Sequence, residues 1–203
     1  MVYRLYPGIF SLLASVIFAG CMSAQPLRFD ENKRAVEFLT PAWAVSLYTI
    51  PSMAYKPVDQ ARVLTHRNVG YVGGWDGLFR AIALGSGKVL WTVDMSEPVL
   101  AKPVLVDEDV LVGSMGGKLY RVNRSSGQVI WTYDVESSIV SQIAVAGGRA
   151  FLVNNKNALF ALDVKTGKYL WHKNRTHKTE FTMDGQGAPL TADGRLYAGF
   201  SDG

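Results

Sequence analysis

Three glycines, Gly87, Gly127 and Gly167, stand 40 residues apart, and so do three tryptophans, Trp91, Trp131 and Trp171. Around them the chain repeats one pattern, seen in Ala81-Ile82-Ala83-Leu84-Gly85-Ser86-Gly87-Lys88-Val89-Leu90-Trp91 and again at 121–131 and 161–171. In the last copy Ala161 to Val164 alternate as a pleated strand. Thr166-Gly167 then supplies a tight turn, with glycine free to take a positive φ, and a second strand carries Trp171. A constant 40-residue period in a pattern made only of strands predicts an all-β chain, a β-propeller with one four-stranded antiparallel blade per repeat.

The blades are placed at 58–95, 98–135 and 138–175, and a further one starts at 185–203. The connections carry Gly, Asn or Asp, as in Trp75-Asp76-Gly77, Asp107-Glu108-Asp109 and Met115-Gly116-Gly117, residues that reach positive φ cheaply. Ahead of the blades, 39–49 holds Pro41-Ala42-Trp43, which has the flavour of the tryptophan-bearing strand without the three strands that precede it elsewhere. A propeller closes its ring with such a strand, so Trp43 is expected to complete a final blade. About three and a half blades are then present of an expected eight or so, at the roughly 40–45 residues per blade typical of propellers. Each blade buries its faces only against its neighbours, so a partial ring is expected to be marginally stable.

Residues 1–20 have the form of an export signal: Arg4, an apolar run from Ile9 to Phe18, then Ala19-Gly20 before Cys21. The run is about half the roughly 20 residues a bilayer crossing needs. The segment resembles a bacterial lipobox, which implies lipidation of Cys21; secretion without lipid is the alternative. Residues 21–38, mixed in charge and without a period, suit a tether. The rest of the domain occupies 39–203.

The net charge of +4 is too small and too scattered to favour nucleic acid. A single cysteine excludes an intrachain disulfide and a cysteine-rich metal site. His66, His172 and His177 fall at dissimilar places in the repeat and show no ligand spacing. Asp76, Asp107, Glu108 and Asp109 have the placing of solvated turn caps. Trp91, Trp131 and Trp171 are expected to lie between blades, and Asp163 or Asn123 to hold the turn before the glycine. Ala83 in the first blade can form no such bond.

The 161–171 stretch resembles the tryptophan-docking repeat of pyrroloquinoline-quinone-type propellers, shared by quinoprotein dehydrogenases and by non-catalytic propeller lipoproteins. Within the second group the chain is similar to the BamB family of the outer-membrane β-barrel assembly machinery. The likeness covers Cys21, the tether, Pro41-Ala42-Trp43 and the repeats. Its most specific part is Phe181-Thr182-Met183-Asp184-Gly185-Gln186-Gly187-Ala188-Pro189. The resemblance implies a lipid anchor on the periplasmic side of the outer membrane and docking of this loop to the periplasmic domains of BamA. Phe181 and Met183 match apolar contacts, Gly185, Ala188 and Pro189 the frame, Gln186 lies between them, and Asp184 stands where the family has Arg. Read from its residues alone, the loop sets Phe181 and Met183 beside charges, as an interface core with a polar rim requires; packing under the loop is the other reading.

Three functions compete. A binding scaffold with no chemistry, cofactor or small-molecule substrate comes first. A fragment of a quinoprotein dehydrogenase would need a Ca²⁺ site of oxygen ligands and a carboxylate base. A lipoprotein binding a cell-wall component would need an aromatic cluster outside the repeat positions, and the sequence points to none.

Overall fold

The computed structural model describes residues 2–5, 39–47, 62–174 and 187–200. The expected export signal beyond Leu5, Cys21, the expected tether and the loop at Phe181, Met183, Asp184, Gly185 and Gln186 lie outside them. The chain divides into two units, Met1–Val45 and Ser46–Gly203. In the first, β1 (Val2–Leu5) pairs antiparallel with β2 (Leu39–Trp43), setting Val2 opposite Trp43. The strand expected to close a ring is therefore paired here within its own unit.

The second unit is strand throughout. Blade one is β3 (Leu64–His66), β4 (Val69–Val72), β5 (Leu78–Ala83) and β6 (Val89–Asp94). Blade two is β7 (Val104–Val106), β8 (Asp109–Gly113), β9 (Lys118–Asn123) and β10 (Val129–Asp134). Blade three is β11 (Ala144–Ala146), β12 (Arg149–Val153), β13 (Ala158–Asp163) and β14 (Tyr169–Asn174). Each is an antiparallel meander with its strands in sequence order, and β15 (Leu190–Ala192) and β16 (Arg195–Tyr197) pair as the start of another. The blades foreseen from the repeat are present, with inner strands trimmed to three residues.

Blade two shows why the central strands are apolar rather than alternating. All five residues of β8 are buried. Val110 and Val112 join Tyr71, Phe79, Met95 and Val99 in one core cluster. Leu111, between them, joins Leu119, Ile139, Ile143, Leu152 and Leu162 in a second. Successive side chains of a strand point to opposite faces, so in a blade stacked on both sides Val110, Leu111 and Val112 in succession must all be apolar. Burying one such side chain contributes about 1.5–3 kcal/mol.

The outer strands contain a feature the alternating pattern conceals. Val89 opposes Ile82 while Trp91 opposes Ala81, so Leu90 is an extra residue, a β-bulge. The register shifts at the same place in the other two blades. An extra residue reverses which face the following side chains take, and it carries each tryptophan over a partner on the neighbouring strand, Ala81, Arg121 or Ala161.

The turn before each tryptophan strand is closed by backbone bonds, as from Gly167 N–H to Asp163 O at 2.9 Å, and Gly87, Gly127 and Gly167 have φ of 72°, 75° and 69°. Asp163 Oδ1 also accepts from Thr166 N–H (2.8 Å) and Thr166 Oγ1 (2.7 Å). These bonds from Thr166 hold the Asp163 carboxyl below the ordinary range. Asn123 Oδ1 receives the matching bonds from Ser125 and Ser126. Ala83 keeps only the backbone bonds. Ala83→Asp is therefore expected to add a turn cap and stabilise the chain by about 0.5–1 kcal/mol. Thermal unfolding checks it; an unchanged or lower midpoint would refute the capping role.

Candidate partner-binding surface

A surface that binds a partner must be held by something rigid, and here the rigidity comes from how blades join. The Trp91 indole N–H donates to Arg124 O of blade two at 3.0 Å. Trp131 N–H donates to Val164 O of blade three, also at 3.0 Å. Each ring lies on the glycine of that next turn. A Cβ on Gly127 would meet Trp91 Cδ2 at 2.9 Å, and one on Gly167 would meet Trp131 Cδ2 at 2.6 Å. Glycine thus serves twice, for its positive φ and for the flat space the indole occupies. The first role is legible in the sequence; the second is not. Trp171 has no such neighbour among the described residues; it is 38% exposed and leans on Phe151 at 6.1 Å.

A buried ion pair reinforces the second joint. Arg121 meets Asp109 at 2.6 and 2.7 Å, and its Nη1 donates to Val164 O at 2.7 Å, the carbonyl already used by Trp131. Asn123 Nδ2 donates to the other Asp109 oxygen at 3.2 Å. Asp109, foreseen as a solvated cap, is only 6% exposed; a charge at that depth persists because its partners satisfy it. Glu108 and Asp76 are likewise engaged, with Arg124 and Arg80 respectively. Burial pushes the Asp76 carboxyl up, but bonds from Arg80 and the Leu78 N–H outweigh it and hold the group low. Among the described residues no group of three or more His, Cys, Asp and Glu side chains is placed to hold a metal ion.

The loop expected to bind a partner leaves blade three at Asn174 and re-enters at Gly187. Asn174 to Gly187 spans 13 positions, where Asp94 to Ala101 and Asp134 to Ser141 each span 7. The shorter connections are tied down: Val99 N–H donates to Gly74 O at 3.0 Å and Ile139 N–H to Ser114 O at 3.0 Å. They also press on a glycine. A Cβ on Gly73 would lie 2.3 Å from Val99, and one on Gly113 2.4 Å from Ile139. Blade three has Val153 at this repeat position. This replacement of glycine is a sequence signal that marks out the third connection independently of its length.

The structure also gathers aromatic residues that the sequence kept apart. Tyr133, Phe160, Tyr169 and His172 line one groove beside blades two and three. These residues lie within the repeats but come from three strands, so no local pattern could announce that they meet.

Comparison with known proteins places these features. The family model described as outer membrane protein assembly factor BamB matches residues 76–203. A curated relative, the outer membrane protein assembly factor BamB of Shewanella oneidensis, is 31% identical over 148 residues. That match takes in 68% of this chain and 38% of the relative, so the chain spans well under half of the relative's length. Among solved structures, BamB from Moraxella catarrhalis matches with a TM-score of 0.53 and 21% identity over 65% of this chain and 40% of that one. The computationally designed Ika8 protein matches at 0.59 with 20% identity over 70% of this chain and 42% of that one. At such identities both structural likenesses speak to the fold alone.

Proposed function

This chain belongs to the BamB family of outer membrane protein assembly factors, and on that premise we propose that it is part of a lipid-anchored periplasmic scaffold that binds BamA and has no chemistry of its own. The anchor is the acylated Cys21, held against the periplasmic side of the outer membrane; two or more acyl chains on one residue suffice for stable attachment. Removal of the export signal before Cys21 takes β1 with it and frees the strand of Trp43 to complete a final blade. The docking element is the connection after blade three, with Phe181 and Met183 as its apolar core and Asp184, Gly185 and Gln186 shaping its rim. The observation that carries this reading is the departure of that connection from the repeat, at a place where a rigid blade stack supports it. A loop on a rigid scaffold is where recognition is usually sited.

Retention of the purified chain on immobilised periplasmic domains of BamA tests the proposal. The parent chain is expected to bind, and Phe181→Asp with Met183→Asp to weaken binding at least about tenfold, since charges in an interface core cost several times RT. Asp184→Arg, restoring the residue the family carries there, is expected to tighten it. A parent chain that is not retained, or a double variant retained equally, overturns the reading.

A further inference from the structure

The aromatic groove beside blades two and three has a volume of about 710 Å³, within the range of pockets that hold a small group. Tyr133 and Tyr169 stack with ring centroids 6.4 Å apart and planes within 15°. His172 lies over Phe160 at 5.4 Å and 25°, and its Nδ1 is 2.8 Å from the Tyr169 hydroxyl. Packing alone does not call for these residues. At the corresponding joint between blades one and two the repeat places Val93, Val129 and Thr132 where this groove has Tyr133, Tyr169 and His172. Valine suffices to fill that seam, and the aromatic wall is peculiar to one groove.

Two carboxylates stand on the same groove. Asp134 and Glu136 line it, both exposed, and among the described residues that line the groove Lys156 is the one ammonium opposing them. The Glu136 N–H donates to Asp134 Oδ1 at 2.7 Å, with Glu136 held at a φ of 59°, so the pair is set at the mouth by its own turn. Among the described residues neither carboxylate enters a salt bridge, in contrast to Asp76, Glu108 and Asp109. Burial raises the Tyr133 phenol, and the fields of Tyr169, Glu136 and Asp134 push the same way, which agrees with both acids facing the ring.

We propose that this groove receives an arginine side chain of a partner polypeptide. A guanidinium is planar and cationic. It stacks on an aromatic face while its edge N–H groups bond a carboxylate, so one group satisfies the ring wall and the acids together. Among the described residues of the groove two acids face one lysine, a net negative lining on a chain whose total charge is positive, and that complementarity favours a cation over a neutral sugar. The outer strand β14 borders the groove and is exposed at all six residues. An extended segment bearing the arginine can therefore run along it. The test below uses none of the residues of the Phe181 loop, so its failure leaves the scaffold proposal untouched.

The test is titration of the whole chain with N-acetyl-Gly-Arg-Gly-amide and its lysine and citrulline counterparts, read by NMR shifts of the Tyr133, Tyr169 and His172 ring protons. The arginine peptide is expected to shift these rings saturably, the lysine peptide to bind about three- to fivefold more weakly and the uncharged citrulline peptide at least about tenfold more weakly. Glu136→Gln is expected to weaken the arginine peptide about three- to tenfold with an unchanged melting midpoint, because Glu136 is exposed. Tyr169→Leu should do the same, and the midpoint monitors its fold. Equal binding of the citrulline peptide, ring signals that do not move, or a preference for a neutral oligosaccharide would each overturn the assignment.

Discussion

Replacing Arg121 with alanine lowers stability by about 3–5 kcal/mol, because it strands the Asp109 carboxylate inside the joint between blades two and three. The expected result has a second half. Asp109→Val together with Arg121→Ala writes the residues of blade one, Val69 and Ala81, into blade two. The double variant should recover at least about half of the loss, because a buried ion pair gains little over apolar residues that pack well. Urea unfolding of the parent, both single variants and the double variant closes the cycle. Full additivity of the two losses would contradict this account, because it would mean that the two side chains are not coupled. Arg121→Ala also removes the bond to Val164 O and Asp109→Val the bond from Asn123, but each loss is present in its single variant and cancels from the coupling energy.

The second large effect concerns the glycine under each indole. Gly167→Ala is expected to cost about 2–4 kcal/mol, summing left-handed strain of about 1 kcal/mol and the displacement of Trp131 from a contact at 2.6 Å. Gly147→Ala provides the comparison. Gly147 also has a positive φ, 56°, but nothing lies within 4 Å of its added Cβ. It should lose only the strain, about 1 kcal/mol. If the two variants melt together, the indole is not seated on Gly167 and the joint is held by something else.

These effects mark the limit of what the residues announce in order. The blades were legible because period and turn chemistry are local: Thr166-Gly167 and its two equivalents name the turn, and Trp171 and its equivalents the strand. The bulge at Leu90, Ile130 and Leu170 was not, since a plain alternation would have placed the same residues on the strand. Asp109 looked like one acid in a run of three, and only pairing β8 with β9 sets it opposite Asn123 and within reach of Arg121. Gly73 and Gly113 were hidden for the same reason, because their neighbours Val99 and Ile139 lie on the connection that follows. The connection proposed to bind a partner was marked by its own residues, Phe181 and Met183, and by its length. The arginine groove was not marked at all, because β10, β13 and β14 each supply part of it.

The indole bonds join residues 33 positions apart, Trp91 to Arg124 and Trp131 to Val164. Nothing in either clasp waits for the far end of the polypeptide. As the chain emerges amino end first, each sheet can be sealed once little more than one further repeat has appeared, so assembly advances like a zip and exposes one unfinished seam at a time. The same spacing governs which changes of length can be absorbed: gaining or losing a whole repeat restores every clasp, whereas an insertion of any other size between a tryptophan and its receiving turn leaves an indole with no seat.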